Sequence, residues 1–242
     1  MKKLPIRVHI QNPFINCEFL LFLSLKNYFF LITLLLPLFG FSQERSTNLW
    51  AGINASKSIT KKISLEADIQ WRINNNLTTS NAYIAELGAG YKFNKHWEIM
   101  TFYRFITRRK YDKGEEIHIF KPYHRFYANL IYDHKIAFLK FAYRLRYQNQ
   151  FKDDNGTLEN DKSYLRNRAE LSYPNKTKFT PAISADLFYR MGEEFDEIRY
   201  KSEVSYKINK KNTFTIGGFI SQEFSDKDLD DFTFQLTYKL KL

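Results

Sequence analysis

Residues 62–73 alternate without a fault. Lys62, Ser64, Glu66, Asp68, Gln70 and Arg72 fall on one parity, and Ile63, Leu65, Ala67, Ile69, Trp71 and Ile73 on the other. Successive side chains of a strand point to opposite faces, so this stretch is a strand with one apolar and one charged side. A helix of the same sequence would smear both classes around its circumference. The pattern recurs to the end of the chain, and no helical period appears after residue 42. The sequence therefore demands an all-β fold that gives each of many strands two unlike surroundings.

Eleven segments read as strands: 48–59, 62–73, 82–93, 96–109, 117–132, 135–150, 163–173, 177–190, 196–208, 212–224 and 230–242. Most exceed the usual globular strand of about 5–6 residues. They suit a tilted membrane-crossing strand of about 9–11 residues with an overhang. The connections alternate. Tight ones lie at Thr60 and Lys61, Asn94 and Lys95, Asp133 and His134, 174–176 and 209–211. Longer polar ones lie at 74–81, 110–116, 152–162, 191–195 and 225–229. Short turns at one end and long loops at the other are the asymmetry of an outer-membrane barrel. With both termini on the short-turn side the strand number must be even. Eleven segments then mean that 48–59 lies off the wall or that two strands are merged elsewhere. The expectation is ten or twelve strands in an antiparallel up-and-down transmembrane β-barrel.

The front of the chain fits export. Residues 28–41 form an apolar run, YFFLITLLLPLFGF, with Lys26 before it and Lys2, Lys3 and Arg7 further upstream. The run is short for a helix spanning a bilayer, which needs roughly 20 residues. Gly40 and Ser42 supply a small-residue exit. This is the layout of a signal peptide over residues 1–42, cleaved near Ser42, leaving 43–242 as the barrel. The lone cysteine, Cys17, lies in the leader, so the mature chain has no disulfide chemistry. The formal charge is +11, of which residues 1–42 carry +3 through four basic residues and Glu18; the mature chain carries +8. Its basic residues alternate with apolar ones inside strands rather than forming one patch, which argues against nucleic acid. Outer-membrane lipids and lipopolysaccharide are the expected neighbours. Mean hydropathy is only -0.46, as a barrel allows when alternate residues alone meet lipid. The 17% of aromatic residues suits interfacial girdles. Trp71, Tyr83, Tyr147 and Tyr189 fall near one end of the strands, and Tyr91, Trp97, Tyr173, Tyr206 and Tyr238 near the other.

The charged parity defines the candidate site. Arg or Lys on a lipid-facing wall costs about 2–4 kcal/mol at mid-membrane, so in a membrane the charges must point into the lumen. A soluble periplasmic ligand-binding barrel would invert the faces, and alternation alone does not separate the two. The lumen-lining charged network comprises Glu66, Asp68, Arg72, Glu86, Arg104, Arg125, Arg144, Arg146, Arg166, Arg168, Glu170, Asp186, Arg199 and Glu203, with Glu98, Arg108 and Arg190 on the same parity. It reads either as ion pairs that fill and stiffen a narrow barrel or as an arginine ladder lining a pore for anions.

Signals for catalysis are sparse. His96 and His134 fall at turns, and His124 on the lipid-facing parity or at a bulge. His118 lies near Asp112, Glu115 and Glu116, where an Asp–His pair at the rim would activate water, as an outer-membrane enzyme requires. The acidic stretch 152–162 reads as an exposed loop rather than a calcium site. No metal-ligand spacing, phosphate loop or dinucleotide fingerprint is present, and no cofactor is expected.

Several stretches resemble one family. LWAGINASKSITKKISLEADIQWR (49–72), YRLRYQNQF (143–151), YLRNRAELSYP (164–174) and GEEFDEIRYKSEVSYKINKKNTFTIGGF (192–219) are similar to the family catalogued as domain of unknown function 2490. The likeness spans essentially the whole mature chain through its Arg-x-Arg steps, a Glu-x-Phe loop and strand-turn-strand spacing. Where the family carries a glutamate after the Arg-x-Arg step, this chain has Gln148. The resemblance implies an outer-membrane barrel of a Gram-negative cell and no particular activity. The last strand, with Phe232, Phe234, Leu236, Tyr238, Leu240 and Leu242 on one parity, resembles the carboxy-terminal segment read by the barrel assembly machinery.

Overall fold

The computed structural model describes residues 46–242 apart from 113, 115, 155 and 226–230. The expected signal peptide lies outside these residues. The described chain is a closed barrel of eleven strands: β1 Thr47–Ser58, β2 Ile63–Asn74, β3 Thr79–Lys92, β4 Trp97–Asp112, β5 Ile117–Ile136, β6 Leu139–Asp154, β7 Thr157–Ser172, β8 Phe179–Arg190, β9 Phe195–Lys207, β10 Asn212–Glu223 and β11 Phe232–Lys241. Consecutive strands pair antiparallel, as the alternating connections require.

Among the described residues the strands number eleven, in keeping with the expected barrel of ten to twelve. β1 is a wall strand, and it closes the barrel by pairing parallel with β11 from Thr47↔Phe232 to Ser56↔Lys241. The reasoning from an even number assumed antiparallel closure. A parallel seam lets β1 start at the end where the β10–β11 connection lies. There Ser46 N–H donates to Asp231 Oδ1 at 3.0 Å.

Turn chemistry explains one end of the barrel, here the turn end. Thr60 Oγ1 accepts from the N–H groups of Lys62 and Ile63, and Asn94 Oδ1 from those of His96 and Trp97. Asn209 does the same for Lys211 and Asn212. These side chains bond their own backbone two or three residues on, which is what tight turns select. The β5–β6 turn lies at Ala137 and Phe138 rather than at Asp133. Ala137 takes the left-handed conformation at φ 53°, and β5 is extended by an ion pair between Asp133 and Lys140 of β6.

The other end, here the loop end, has shorter connections than the polarity of its sequence implies. β6 and β7 pair as far as Asp154↔Thr157, so most of the acidic stretch 152–162 is hairpin. β4 to β7 are accordingly long, at 16, 20, 16 and 16 residues.

The two parities separate as inside and outside. Ile69 is 67% exposed and Leu87 65%, while Glu86, one residue along β3 from Leu87, is 8% exposed. Aromatic pairs band the outer wall near both ends: Trp71 with Tyr83 and Tyr83 with Phe120 near the loop end, Trp97 with Tyr132 and Phe179 with Tyr206 near the turn end. Among the described residues no helix is long and apolar enough to cross a membrane, which says nothing against strands.

Candidate functional site: the charged lumen

Register places the inward charges in rows that run from strand to strand. One row joins Asp68 of β2, Glu86 of β3, Arg104 of β4 and Arg125 of β5. Glu86 and Arg104 form an ion pair. Arg125 has no carboxylate beside it and donates instead to Gln150 Oε1, from Nε at 3.1 Å and also from a terminal nitrogen. Gln150 donates onward to Asp161 at 2.6 Å. Arg146 likewise bonds an amide, Asn129 Oδ1 at 2.7 Å, and lies 4.0 Å over the Tyr127 ring. Aromatic faces and amide oxygens stabilise a guanidinium without cancelling its charge.

β6 and β7 set arginine against arginine. Arg144 faces Arg168, and Arg146 faces Arg166. Like charges directly opposite on paired strands destabilise them unless other groups compensate. Asp186 of β8, 1% exposed, is the principal compensation: it accepts from Arg166 Nε at 2.9 Å, and Arg144 lies at 3.7 Å. Glu170 takes Arg168 at 2.8 Å. The Nε atoms of Arg144 and Arg168 are buried without a hydrogen-bond partner. Arg104 and Arg125 repeat the arginine-to-arginine juxtaposition across β4 and β5.

A cavity lies near each end of the lumen. The loop-end cavity, of about 460 Å³, is lined by Asn48, Trp50, Arg72, Arg199, Phe219 and Ser221 among others. Arg72 stacks 3.5 Å above the Trp50 ring, against which Phe219 stands edge-on at 4.8 Å and Arg199 lies at 5.5 Å. Arg199 lies 4.4 Å over Phe219 and bonds Glu197 at 2.7 Å and Ser221 at 3.0 Å. The turn-end cavity, of about 560 Å³, is lined by Glu66, Asp68, Arg168, Glu170, Lys201 and Glu203, with further lysines at its mouth. Lys201 and Glu203 are paired.

Sequence parity named the charges but not which uncharged residue holds which arginine. Trp50, Asn129, Gln150 and Phe219 hold arginines, and each lies on the same inward parity as the residue it serves. Inward apolar residues were missed as well. Ala82, Ile84, Ile106 and Tyr123 form one buried cluster, and Met100, Phe102 and Tyr127 another. Their signal was present in β4, WEIMTFYRFITRR, which is apolar on both parities. Phe102 fits because Gly88 faces it: a Cβ there would lie 2.2 Å from the ring. Gln148, in place of the family's glutamate, is buried, and its Oε1 has no partner.

His96 and His134 pack together at the turn end, 5.1 Å between ring centres, while His118 and His124 lie apart from them. His124 is on the outer face in unbroken register, with Nδ1 2.7 Å from the Tyr103 hydroxyl and Nε2 3.6 Å from Asp153. His118 packs edge-on against Tyr111, 5.3 Å between ring centres; Glu115 lies outside the described residues. His96 Nδ1 is 2.7 Å from the Asp133 carbonyl oxygen.

The profile of the family described as "Protein of unknown function (DUF2490)" matches residues 47–233. No curated protein matches the chain. Among solved structures, the chain is similar to one described as "KdgM porin in complex with disordered oligogalacturonate", at 17% identity and a TM-score of 0.43, over 74% of this chain and 91% of that one. It is also similar to "NanC porin structure in rhombohedral crystal form", at 13% identity and a TM-score of 0.42, over 72% and 86%.

Proposed function

The chain belongs to the DUF2490 family, matched from residue 47 to 233, and from that premise we propose that it is an integral outer-membrane barrel whose lumen is a narrow, anion-favouring solute path. Residues 1–42 act as the cleaved export signal, and the last strand engages the barrel assembly machinery. The observation that carries the reading is the set of lumen arginines that bond no carboxylate. Arg72, Arg125 and Arg146 are held by rings and amides rather than carboxylates, and Arg144 and Arg146 face further arginines. A wall of cationic groups of this kind favours anions. The exterior supports the membrane setting. A soluble barrel would leave Ile69, Leu87 and Phe126, all at least half exposed, in water as one continuous apolar belt. Outer-membrane lipid and lipopolysaccharide satisfy that belt and its aromatic margins.

A second reading, a structural barrel with a filled lumen, draws on the inward clusters around Ile106 and Phe102. Single-channel conductance of refolded protein in a planar bilayer separates the two. The solute path gives steady conductance with an anion preference, reduced at least twofold by Arg144→Ala with Arg146→Ala. A folded but silent barrel supports the filled lumen and overturns the path.

A further inference from the structure

The turn-end cavity is bipolar. β1 crosses it with three small inward residues, Gly52, Asn54 and Ser56. In register, Asn54 has Lys239 of β11 on one side and Asp68 of β2 on the other, and Ser56 has Lys241 on one side and Glu66 on the other. Each lysine therefore stands two strands from its opposed carboxylate, about 10 Å apart at the backbone given a spacing of about 4.8 Å per strand. Both rows line the same cavity of about 560 Å³. The other carboxylates of the cavity are already engaged, Glu170 with Arg168 and Glu203 with Lys201. Among the described residues, Glu66, Asp68, Lys239 and Lys241 have no ion-pair partner. Two carboxylates without an ion pair thus face Lys239 and Lys241 across a gap floored by an amide, a hydroxyl and a glycine, with Lys210 and Lys211 also lining the cavity on the cationic side.

We infer that this cavity is a binding site for a small zwitterion, which places its ammonium between Glu66 and Asp68 and its carboxylate at Lys239 and Lys241. One neutral ligand then meets both rows at once. A simple anion or cation satisfies one row and is repelled by the other. Ser56, lying between the rows, offers a hydrogen bond to the ligand's middle, while the Asn54 amide, already bonded to Glu66 and Asp68, orients the two carboxylates. The site rests on the solute-path reading for its access from bulk water, and it adds a substrate class: free amino acids and related ω-amino acids.

Isothermal titration of the refolded barrel in detergent micelles tests this directly. The probes are glycine, 4-aminobutyrate and 6-aminohexanoate, a series of increasing charge separation, with acetate and methylammonium as single-charge controls. The expected result is that one member of the series binds at least tenfold tighter than either control. Glu66→Gln with Asp68→Asn, and separately Lys239→Met, weaken it at least tenfold. Lys121→Met, on the ion pair with Asp112, leaves it unchanged. Heat-modifiable gel mobility shows that each variant is folded; if the double variant fails to fold, Lys239→Met alone carries the test. Acetate binding as tightly as every zwitterion overturns the site, as does binding that survives loss of the lysine. A barrel that conducts but binds no zwitterion overturns the site and leaves the solute path standing. Zwitterion binding by a barrel that does not conduct keeps the site and overturns the path.

Discussion

Asp186 shows how much depends on single residues in this lumen. It is 1% exposed and within 3.7 Å of two arginines, which themselves face two more. Removing one partner of a buried charge pair leaves the other uncompensated and costs about 3–5 kcal/mol. Asp186→Asn keeps the shape and removes the charge, so the loss isolates electrostatics. Urea unfolding of the variant in liposomes is expected to show a destabilisation of that order. Glu193→Gln, at an exposed pair with Arg190, is expected to change stability by less than about 0.5 kcal/mol, because solvent already screens the interaction. Equal effects at the two sites would show that Asp186 does not hold the arginine block together.

At the scale of elements the seam between β1 and β11 sets this barrel apart. It is the one parallel pair among the described strands, and parallel ladders are slightly less stable per residue than antiparallel ones. The pairing is testable because the chain's only cysteine is Cys17. Ala51 and Leu236 are register partners, and paired Cα atoms on neighbouring strands fall within disulfide range. Ala51→Cys with Leu236→Cys is expected to form a reducible crosslink on oxidation, seen as a gel shift. Ala51→Cys with Tyr238→Cys, two residues out of register, is expected to remain reduced. Crosslinking of the second pair in preference to the first would mean a different closure.

The barrel of the described residues is inside-out relative to a water-soluble one, and its tryptophans report this. Trp71 and Trp97 stand on the outer wall, 43% and 39% exposed, while Trp50 lies in the lumen between Arg72 and Phe219. In bilayers of brominated lipid, tryptophan fluorescence of the parent protein is expected to be quenched at least twofold. The variant Trp71→Phe with Trp97→Phe, which retains only Trp50, is expected to lose most of that quenching. Undiminished quenching would place Trp50 against lipid and reverse the assignment of faces.

Alternation carried the sequence a long way. The edges of β2 and of β8 to β10 are legible to within two residues, because the period of two and the Asn- and Thr-based turns are local properties of the chain. The division of each strand into a charged and an apolar face is equally local. Tertiary structure alone decided the rest. Closure by a parallel β1–β11 seam depends on which strand meets which after the sheet has curled, and alternation within either strand leaves that open. Arg144 opposite Arg168, and Asp68 two strands from Lys239, follow from register between strands, which alternation within each one leaves open. The inward clusters at Ile106 and Phe102 arise because one sector of the wall packs apolar side chains within the barrel as well as outside. Parity distinguishes the two faces of a strand, but only the packed barrel determines what each face meets.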